Sequence, residues 1–138
     1  MKLVAFAAIG IAIALSSCAT GPHEFAAPDR AWTTRSGQLS YRNPKRSLIG
    51  DVLVRYDARG DFELTFTKGP GVPLLVLKTG ADFARLSGPL AILPWSGPIA
   101  RPPERARGWL KLRDAILQNG AGPIIRATEG NERFVLRF

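Results

Sequence analysis

Two stretches in the middle of the chain alternate between apolar and polar residues with the period of a β-strand. In residues 48–57 and 61–68 the apolar positions on one face are, in order, Val52, Val54, Tyr56, Phe62, Leu64 and Phe66. A period of two places such side chains on one face of a strand. Only Ala58-Arg59-Gly60 separates the two stretches, and a three-residue connection with glycine is typical of hairpins. The pattern therefore predicts an antiparallel hairpin.

Shorter runs on both sides extend the predicted sheet. Residues 38–42, 74–79, 83–87, 123–128 and 133–138 have strand composition and are bounded by glycine, proline or asparagine. The run from Leu74 to Thr79 is apolar on both faces, so we expect it either to be covered on both sides or to face a hydrophobic ligand. Short turns between successive strands favour an antiparallel meander, and the chain is predicted to be mainly β.

One helix interrupts this pattern at residues 103–118. Pro103-Glu104 suits a helix start and Asn119-Gly120 a helix end. Its apolar stripe consists of Trp109, Leu112 and Ile116, widened by Ala106, Leu110 and Leu117. Arg113 lies inside the apolar arc, where it either pairs as a structural residue or meets an anionic head group.

The connection before the helix is rich in proline. Residues 88–103 contain Pro89, Pro94, Pro98, Pro102 and Pro103 among apolar side chains. Proline cannot donate a backbone hydrogen bond to a strand ladder, so this segment is predicted to be a loop. We expect it to pack over the sheet as a lid, in preference to an exposed loop that dips into a membrane.

The first residues have the layout of an export signal. Met1-Lys2 precedes an uncharged apolar stretch, Leu3 to Leu15, which as a helix would cover only about 20 Å of a bilayer core. Leu15-Ser16-Ser17-Cys18 resembles the lipobox of bacterial lipoproteins. That resemblance implies removal of residues 1–17 and covalent diacylglyceryl and N-acyl groups on Cys18. The alternative is an ordinary secreted protein that is cut nearby, for example after Ala19.

Composition then limits the mature protein. Removal of residues 1–17 and their Lys2 leaves 121 residues with 18 basic and 11 acidic side chains, a formal charge of +7. Residues 18–35 are predicted to be a lipidated tether and residues 36–138 one β-rich domain, which we expect to be monomeric. Export makes nucleic acid an unsuitable partner, and anionic lipid or wall polymer fits better. With Cys18 lipidated, no thiol is left for a disulfide.

The residue supply does not favour catalysis or a cofactor. His23 is the only histidine and falls in the predicted tether, where we expect it to be solvated. Neither a metal cluster nor a Ser-His-Asp triad is predicted. The carboxylates of the hairpin lie on its polar face among arginines, where ion pairs explain them better. Gly69-Pro70-Gly71 lacks the residues of a phosphate-binding loop. We predict neither an enzyme nor a cofactor.

Together, the lipobox, the tether and the strands Gly50–Tyr56 and Asp61–Gly71 resemble the outer-membrane lipoprotein receptor family, LolB-like. The resemblance implies a curved antiparallel sheet, an incomplete barrel, whose apolar concave face shelters acyl chains. It also implies partners that are other lipoproteins or a periplasmic lipoprotein carrier, and a protruding apolar loop residue that touches the membrane, for which Val72 is the candidate. Ala19 after the lipidated cysteine fits the periplasmic face of the outer membrane.

Two functions follow, and the filling of the concave face separates them. If the face is incompletely filled, the protein binds lipid or lipoprotein acyl chains. If it is filled, the protein is a structural or interaction lipoprotein that uses its basic surface on an envelope partner, wall polymer or anionic lipid. The residues expected to line the acyl-chain site are Phe62, Leu64, Phe66, Leu74, Val76, Trp109, Leu112 and Ile116.

Overall fold

The computed structural model describes residues 23–138, and these form an eight-stranded antiparallel sheet with one packed α-helix. The strands are β1 (Thr33–Asn43), β2 (Arg46–Tyr56), β3 (Phe62–Thr67), β4 (Leu75–Thr79), β5 (Phe83–Ser87), β6 (Trp95–Pro98), β7 (Ile124–Glu129) and β8 (Glu132–Arg137). Helix α1 spans Glu104–Gln118, and a short 3-10 helix spans Pro89–Ala91. The strand order is β6-β5-β4-β3-β2-β1-β8-β7, and β6 and β7 are the two edges. The predicted mainly β fold, an open antiparallel sheet with one helix against it, is confirmed.

The register of the hairpin β2–β3 follows the alternation. Val52 lies opposite Phe66 and Val54 lies opposite Leu64. All four side chains are buried on the face that α1 covers. The helix presents Trp109, Leu112 and Ile116 to this face, as its apolar stripe predicts. Cross-strand pairs and the helix stripe therefore build one continuous core.

Strand β1 begins earlier than expected. It starts at Thr33, so residues 33–35 of the predicted tether belong to the sheet. Arg35 fixes this start, because its guanidinium donates hydrogen bonds to the carbonyls of Gly120 and Gly122 after the helix and its carbon Cζ lies 3.8 Å from the centre of the Phe138 ring. The first strand thus tethers the end of α1 and the end of the chain.

The proline-rich segment is more ordered than a plain loop. It contains the 3-10 helix and then strand β6, in which Leu86 pairs with Trp95 and Phe83 pairs with Pro98. Ala91 is buried against the core, which agrees with a packed segment, whereas Ile92 and Leu93 are exposed. Prolines flank β6 because an edge strand leaves one side of its backbone without ladder partners.

The meander sorts its connections between two ends of the sheet. At one end, called here the cleft end, lie the connections β1–β2, β3–β4, β5–β6 and β7–β8 and the first turn of α1. At the other, called the tether end, lie the connections β2–β3 and β4–β5, the end of α1 and the start of β1. This separation decides which side chains can act together.

Candidate functional site

Most of the residues expected to bind acyl chains lie in a closed core. Phe62, Leu64, Phe66, Leu112 and Ile116 are each at most 1% exposed. Leu112 and Ile116 belong to α1, and the ring of Trp109 on the same helix lies 6.1 Å from that of Phe66 between centroids. These side chains have almost no exposed surface. The face that α1 covers is therefore filled at these positions.

Two of the residues expected to line the acyl-chain site, Leu74 and Val76, do not point into the core. Val76 lies opposite Thr65, on the face of the sheet away from α1, whereas its neighbours Leu75 and Leu77 are fully buried against the core. Leu74 precedes the strand and only borders the core. A run of apolar residues on both faces carries no alternation, so the sequence did not fix which of them point inward.

An open cleft of about 900 Å³ lies at the cleft end of the sheet. Trp109 and Tyr41 form its aromatic wall, and Leu90 and Ile92 add apolar surface. The remaining lining residues come from the β1–β2 turn, the first turn of α1 and the β7–β8 turn: Asn43, Pro44, Lys45, Arg46, Glu104, Arg105, Arg107, Glu129, Gly130, Asn131 and Glu132. We call this feature the Trp109 cleft.

Tyr41 and Glu132 hold the wall of the Trp109 cleft in place. The Tyr41 hydroxyl donates to Glu132 Oε2 at 2.6 Å and accepts from the Asn43 amide at 3.0 Å. The Tyr41 ring also stacks on Trp109, with 5.2 Å between centroids. Burial raises the pKa of Tyr41 to about 12, and the hydrogen bond to Glu132 acts in the same direction. Burial also raises the pKa of Glu132, against the opposing effect of that hydrogen bond.

Four basic side chains around the cleft are without ion-pair partners. Lys45, Arg46, Arg105 and Arg107 form no salt bridge within residues 23–138. One of the three carboxylates of the cleft, that of Glu129, is engaged by Lys111 at 3.2 Å. Two of these cations come from the β1–β2 turn and two from the start of α1. Because the two segments are far apart in the chain, the sequence did not predict that they lie together. Their charge is available to an anionic ligand or surface.

Two exposed apolar loop tips lie at the same end of the sheet as these cations. Val72 in the β3–β4 connection is 83% exposed, and Ile92 and Leu93 in the β5–β6 connection are 77% and 63% exposed. The amide of Leu90 donates to the carbonyl of Leu74 at 2.9 Å and joins the two connections. Val72 is therefore an exposed apolar tip, and a second tip, with two apolar residues, lies on the neighbouring connection.

The backbone at Ile92 is strained. Its φ of 68° and ψ of −65°, with the Leu93 amide bonded to the Ala91 carbonyl at 2.8 Å, form a γ-turn of the unfavourable kind. A β-branched residue disfavours positive φ, and a strained conformation of this kind costs about 1–3 kcal/mol. The exposed side chain makes no core contact that would offset this cost, and the turn is held by backbone hydrogen bonds.

Arg113 is a structural residue. Its guanidinium donates to the Thr79 hydroxyl at 2.7 Å, to the carbonyls of Gly60 and Gly80 at 3.1 and 3.2 Å, and to Asp114 Oδ1 at 2.9 Å. It thereby links the β2–β3 and β4–β5 turns at the tether end. These contacts agree with the structural role that was one of the two alternatives for Arg113.

Residues 23–25 of the predicted tether pack on the sheet. The His23 ring stacks on Phe83 at 4.3 Å between centroids, and Phe25 contacts His23 edge-on at 4.8 Å. Arg85 donates to the His23 carbonyl at 3.2 Å and lies 5.1 Å from the centre of the Phe25 ring. We call residues 23–25 with Phe83 and Arg85 the strap. An aromatic residue, Phe25, in an otherwise small and polar stretch was the signal for it.

Three further points concern the lipidation site, metal binding and membrane-spanning helices. Cys18, the predicted lipidation site, lies outside residues 23–138. In the described part of the chain, no three His, Cys, Asp or Glu side chains are grouped as a metal site would require. The same residues contain no helix with the length and hydropathy needed to cross a membrane.

Comparisons with other proteins add no assignment. A scan against protein-family models found no match, and a search of curated proteins found none either.

Proposed function

We propose that this chain is a non-catalytic, lipid-anchored protein of the cell envelope whose β domain binds an anionic membrane surface through its cleft end. Lipid on Cys18 supplies the anchor, and the outer membrane at its periplasmic face is the proposed location. The observation that carries the proposal is the presence, at one end of the sheet, of exposed Ile92 and Leu93 and of four cations that form no salt bridge within residues 23–138.

The magnitudes suit a contact that assists an anchor. Full burial of an isoleucine or leucine side chain contributes about 1.5–3 kcal/mol. A basic side chain near an anionic leaflet contributes about 1 kcal/mol. The two tip residues and four cations therefore supply several kcal/mol in total. Such a contact is reversible for the domain alone and becomes lasting when acyl chains hold the protein nearby.

The experiment is sedimentation of a soluble form, residues 19–138, with vesicles of phosphatidylcholine alone or mixed with phosphatidylglycerol. The buried core residues described above fall between Leu39 and Leu136, and this form contains all of them. We expect binding only to the anionic vesicles and a decrease as salt rises. Lys45→Glu with Arg46→Glu should weaken binding strongly, and Val72→Glu should weaken it if that tip also touches lipid.

The matched control is Arg59→Glu at the tether end. Arg59 is exposed, and its backbone amide makes the contact to Asp57. This change removes a cation without altering the cleft end, so binding should stay close to that of the parent. The control is compared with the single variants Lys45→Glu and Arg46→Glu, because each of the three changes the formal charge by the same amount. Equal losses for the control and the single variants would show that only net charge matters and would contradict the proposed surface.

Acyl-chain binding stays a second candidate, relocated to the Trp109 cleft. Trp109 borders this cleft but is only 1% exposed, so Leu90 and Ile92 supply most of the apolar surface that a chain could contact. The volume of about 900 Å³ lies within the range of small-molecule pockets. Native mass spectrometry with a triacylated lipopeptide tests it. An adduct that is lost in Leu90→Glu and kept in Arg59→Glu would favour this function. Charged substitutions of Leu64 or Phe66 are unsuitable, because both side chains are fully buried.

A further inference from the structure

We infer that the domain meets the bilayer with its cleft end, at the corner beside the β5–β6 edge, and that it is attached at two points. One point is the lipid of Cys18 near the tether end, and the other is the Ile92–Leu93 tip at the cleft end. This inference rests on the proposed function, and it specifies which surface of the domain meets the lipid and what orients it.

The strap determines where the anchor can be. His23 stacks on Phe83, which is the first residue of β5, and its carbonyl accepts from Arg85 on the same strand. Cys18 lies five positions before His23, and extended chain covers at most about 3.6 Å per position. The anchor is therefore expected within about 18 Å of His23. Without the strap, the fifteen residues from Cys18 to Thr33 would allow about 54 Å.

The second point follows the other end of β5. Strand β5 has five residues, so its two ends are about 14 Å apart. The 3-10 helix and the Ile92–Leu93 tip come directly after it. The chain from His23 to Cys18 reaches at most about 18 Å, which exceeds the length of β5. The lipid of Cys18 and the tip can therefore reach one bilayer while the cleft end faces it.

The chemistry of this edge fits lipid head groups better than another strand. Pro94 immediately precedes β6 and Pro98 ends it, and neither has an N–H to donate to an added strand. Arg85 lies on this edge, and Arg105 donates to the Leu93 carbonyl at 3.2 Å beside the tip. Cations next to an exposed apolar tip suit the head-group layer of an anionic bilayer.

The test uses the full lipidated protein in vesicles of phosphatidylcholine and phosphatidylglycerol. Cys18 is the only cysteine, so Leu93→Cys and Arg126→Cys each give one labelling position for an environment-sensitive fluorophore. Arg126 lies on β7, the opposite edge. We expect a blue shift and quenching by nitroxide-labelled lipid at position 93 and neither at position 126. Equal quenching at both positions, or none at 93 in vesicle-bound protein, would overturn the orientation.

Two further measurements separate the inference from its premise. Labelling of the parent protein shows whether Cys18 is free; a free thiol, or failure of the protein to stay with vesicles, overturns the proposed function and this inference with it. Phe25→Ala should reduce quenching at position 93 while the protein stays membrane-bound, because a longer tether lets the edge leave the surface. Glu24→Ala, beside it in the chain, should leave quenching unchanged. Unchanged quenching in Phe25→Ala would show that the strap does not set the orientation.

Discussion

Arg113 on the helix donates from Nε to the hydroxyl of Thr79 at the end of β4, at 2.7 Å, with both groups buried. The same guanidinium reaches the carbonyls of Gly60 and Gly80, so one side chain satisfies three acceptors of two turns. A buried carbonyl without a donor costs free energy comparable to a lost hydrogen bond. The contact therefore holds the tether end of the sheet to α1.

Arg113→Lys should destabilise the fold without changing its charge. An ammonium cannot reproduce the planar fork, and each buried acceptor left unpaired costs about 1–3 kcal/mol. We expect the free energy of unfolding in urea to fall by about 2–4 kcal/mol. The exposed Arg133→Lys is the control and should change it by less than about 0.5 kcal/mol. A loss for Arg113→Lys no larger than that of the control would refute the structural role.

Local pattern predicted the elements of the fold, and contacts between distant residues were beyond its reach. The hairpin β2–β3 followed from alternation around Ala58-Arg59-Gly60, and α1 from one apolar stripe with a proline at its start. Both signals are contained within about 20 residues. The partners of Arg113 lie 33 to 53 positions away in turns, so the helix pattern left its role open.

The candidate site escaped the sequence for a related reason. The Trp109 cleft joins the β1–β2 turn, the start of α1 and the β7–β8 turn, which meet only after the meander has formed. The strap depends on the contact between Phe25 and Phe83 of β5. These residues are far apart in the chain, so a local hydrophobic pattern cannot predict their contact. The strand β6 was predicted as loop because prolines surround it, and an edge position removes that objection.

The corrected register of β4 predicts opposite outcomes for neighbouring residues. Leu77→Ala removes a fully buried side chain and should lower the free energy of unfolding by about 2–5 kcal/mol. Val76→Ala, on the face away from α1, should lower it by no more than about 1 kcal/mol. Urea denaturation of both variants gives the comparison. A larger loss of unfolding free energy for Val76→Ala would indicate that Val76 faces the core, as the sequence first suggested.

Gly108→Ala is expected to destabilise the protein although it lies in a helix. Helix propensity alone would favour alanine by about 1 kcal/mol. A Cβ at this position would meet Glu132 Oε1 at 2.6 Å and the buried Phe134 ring at 2.9 Å. The carboxylate can move, but the ring is packed against Trp109, and overpacking costs about 1–3 kcal/mol. We expect a lower melting temperature by circular dichroism; a higher one would show that α1 can shift from β8.

Glu132→Gln should change how stability depends on pH. Because burial raises the pKa of Glu132 in the folded state, the fold binds its proton more tightly than the unfolded chain does. That contribution is complete below the unfolded value of 4.5 and is lost as pH rises through the folded pKa. Glutamine still accepts from Tyr41 and cannot ionise. The variant should therefore gain stability relative to the parent as pH rises from acid to neutral.

The second arm of this experiment uses Tyr41. The Tyr41 hydrogen bond lowers the pKa of Glu132, so Tyr41→Phe should raise that pKa further and extend the pH dependence upward. Thermal unfolding of the parent and both variants across this range measures the differences. A difference between parent and Glu132→Gln that does not vary with pH would contradict the shift of the Glu132 pKa.

Ile92→Gly should raise stability and weaken membrane binding together. Glycine adopts positive φ freely, so the change relieves the strain of the γ-turn, and the exposed side chain leaves little core contact to lose. After the larger unfolded-state entropy of glycine is subtracted, we expect a gain of about 1 kcal/mol in the free energy of unfolding. Removal of an isoleucine that inserts into lipid should reduce partition into anionic vesicles about tenfold or more. Leu93→Gly is the matched control, since Leu93 has no positive φ: it should lose binding without gaining stability. If Ile92→Gly gains stability and still binds vesicles as the parent does, the Ile92 side chain does not contact lipid. The apolar tip would then not be the contact proposed here.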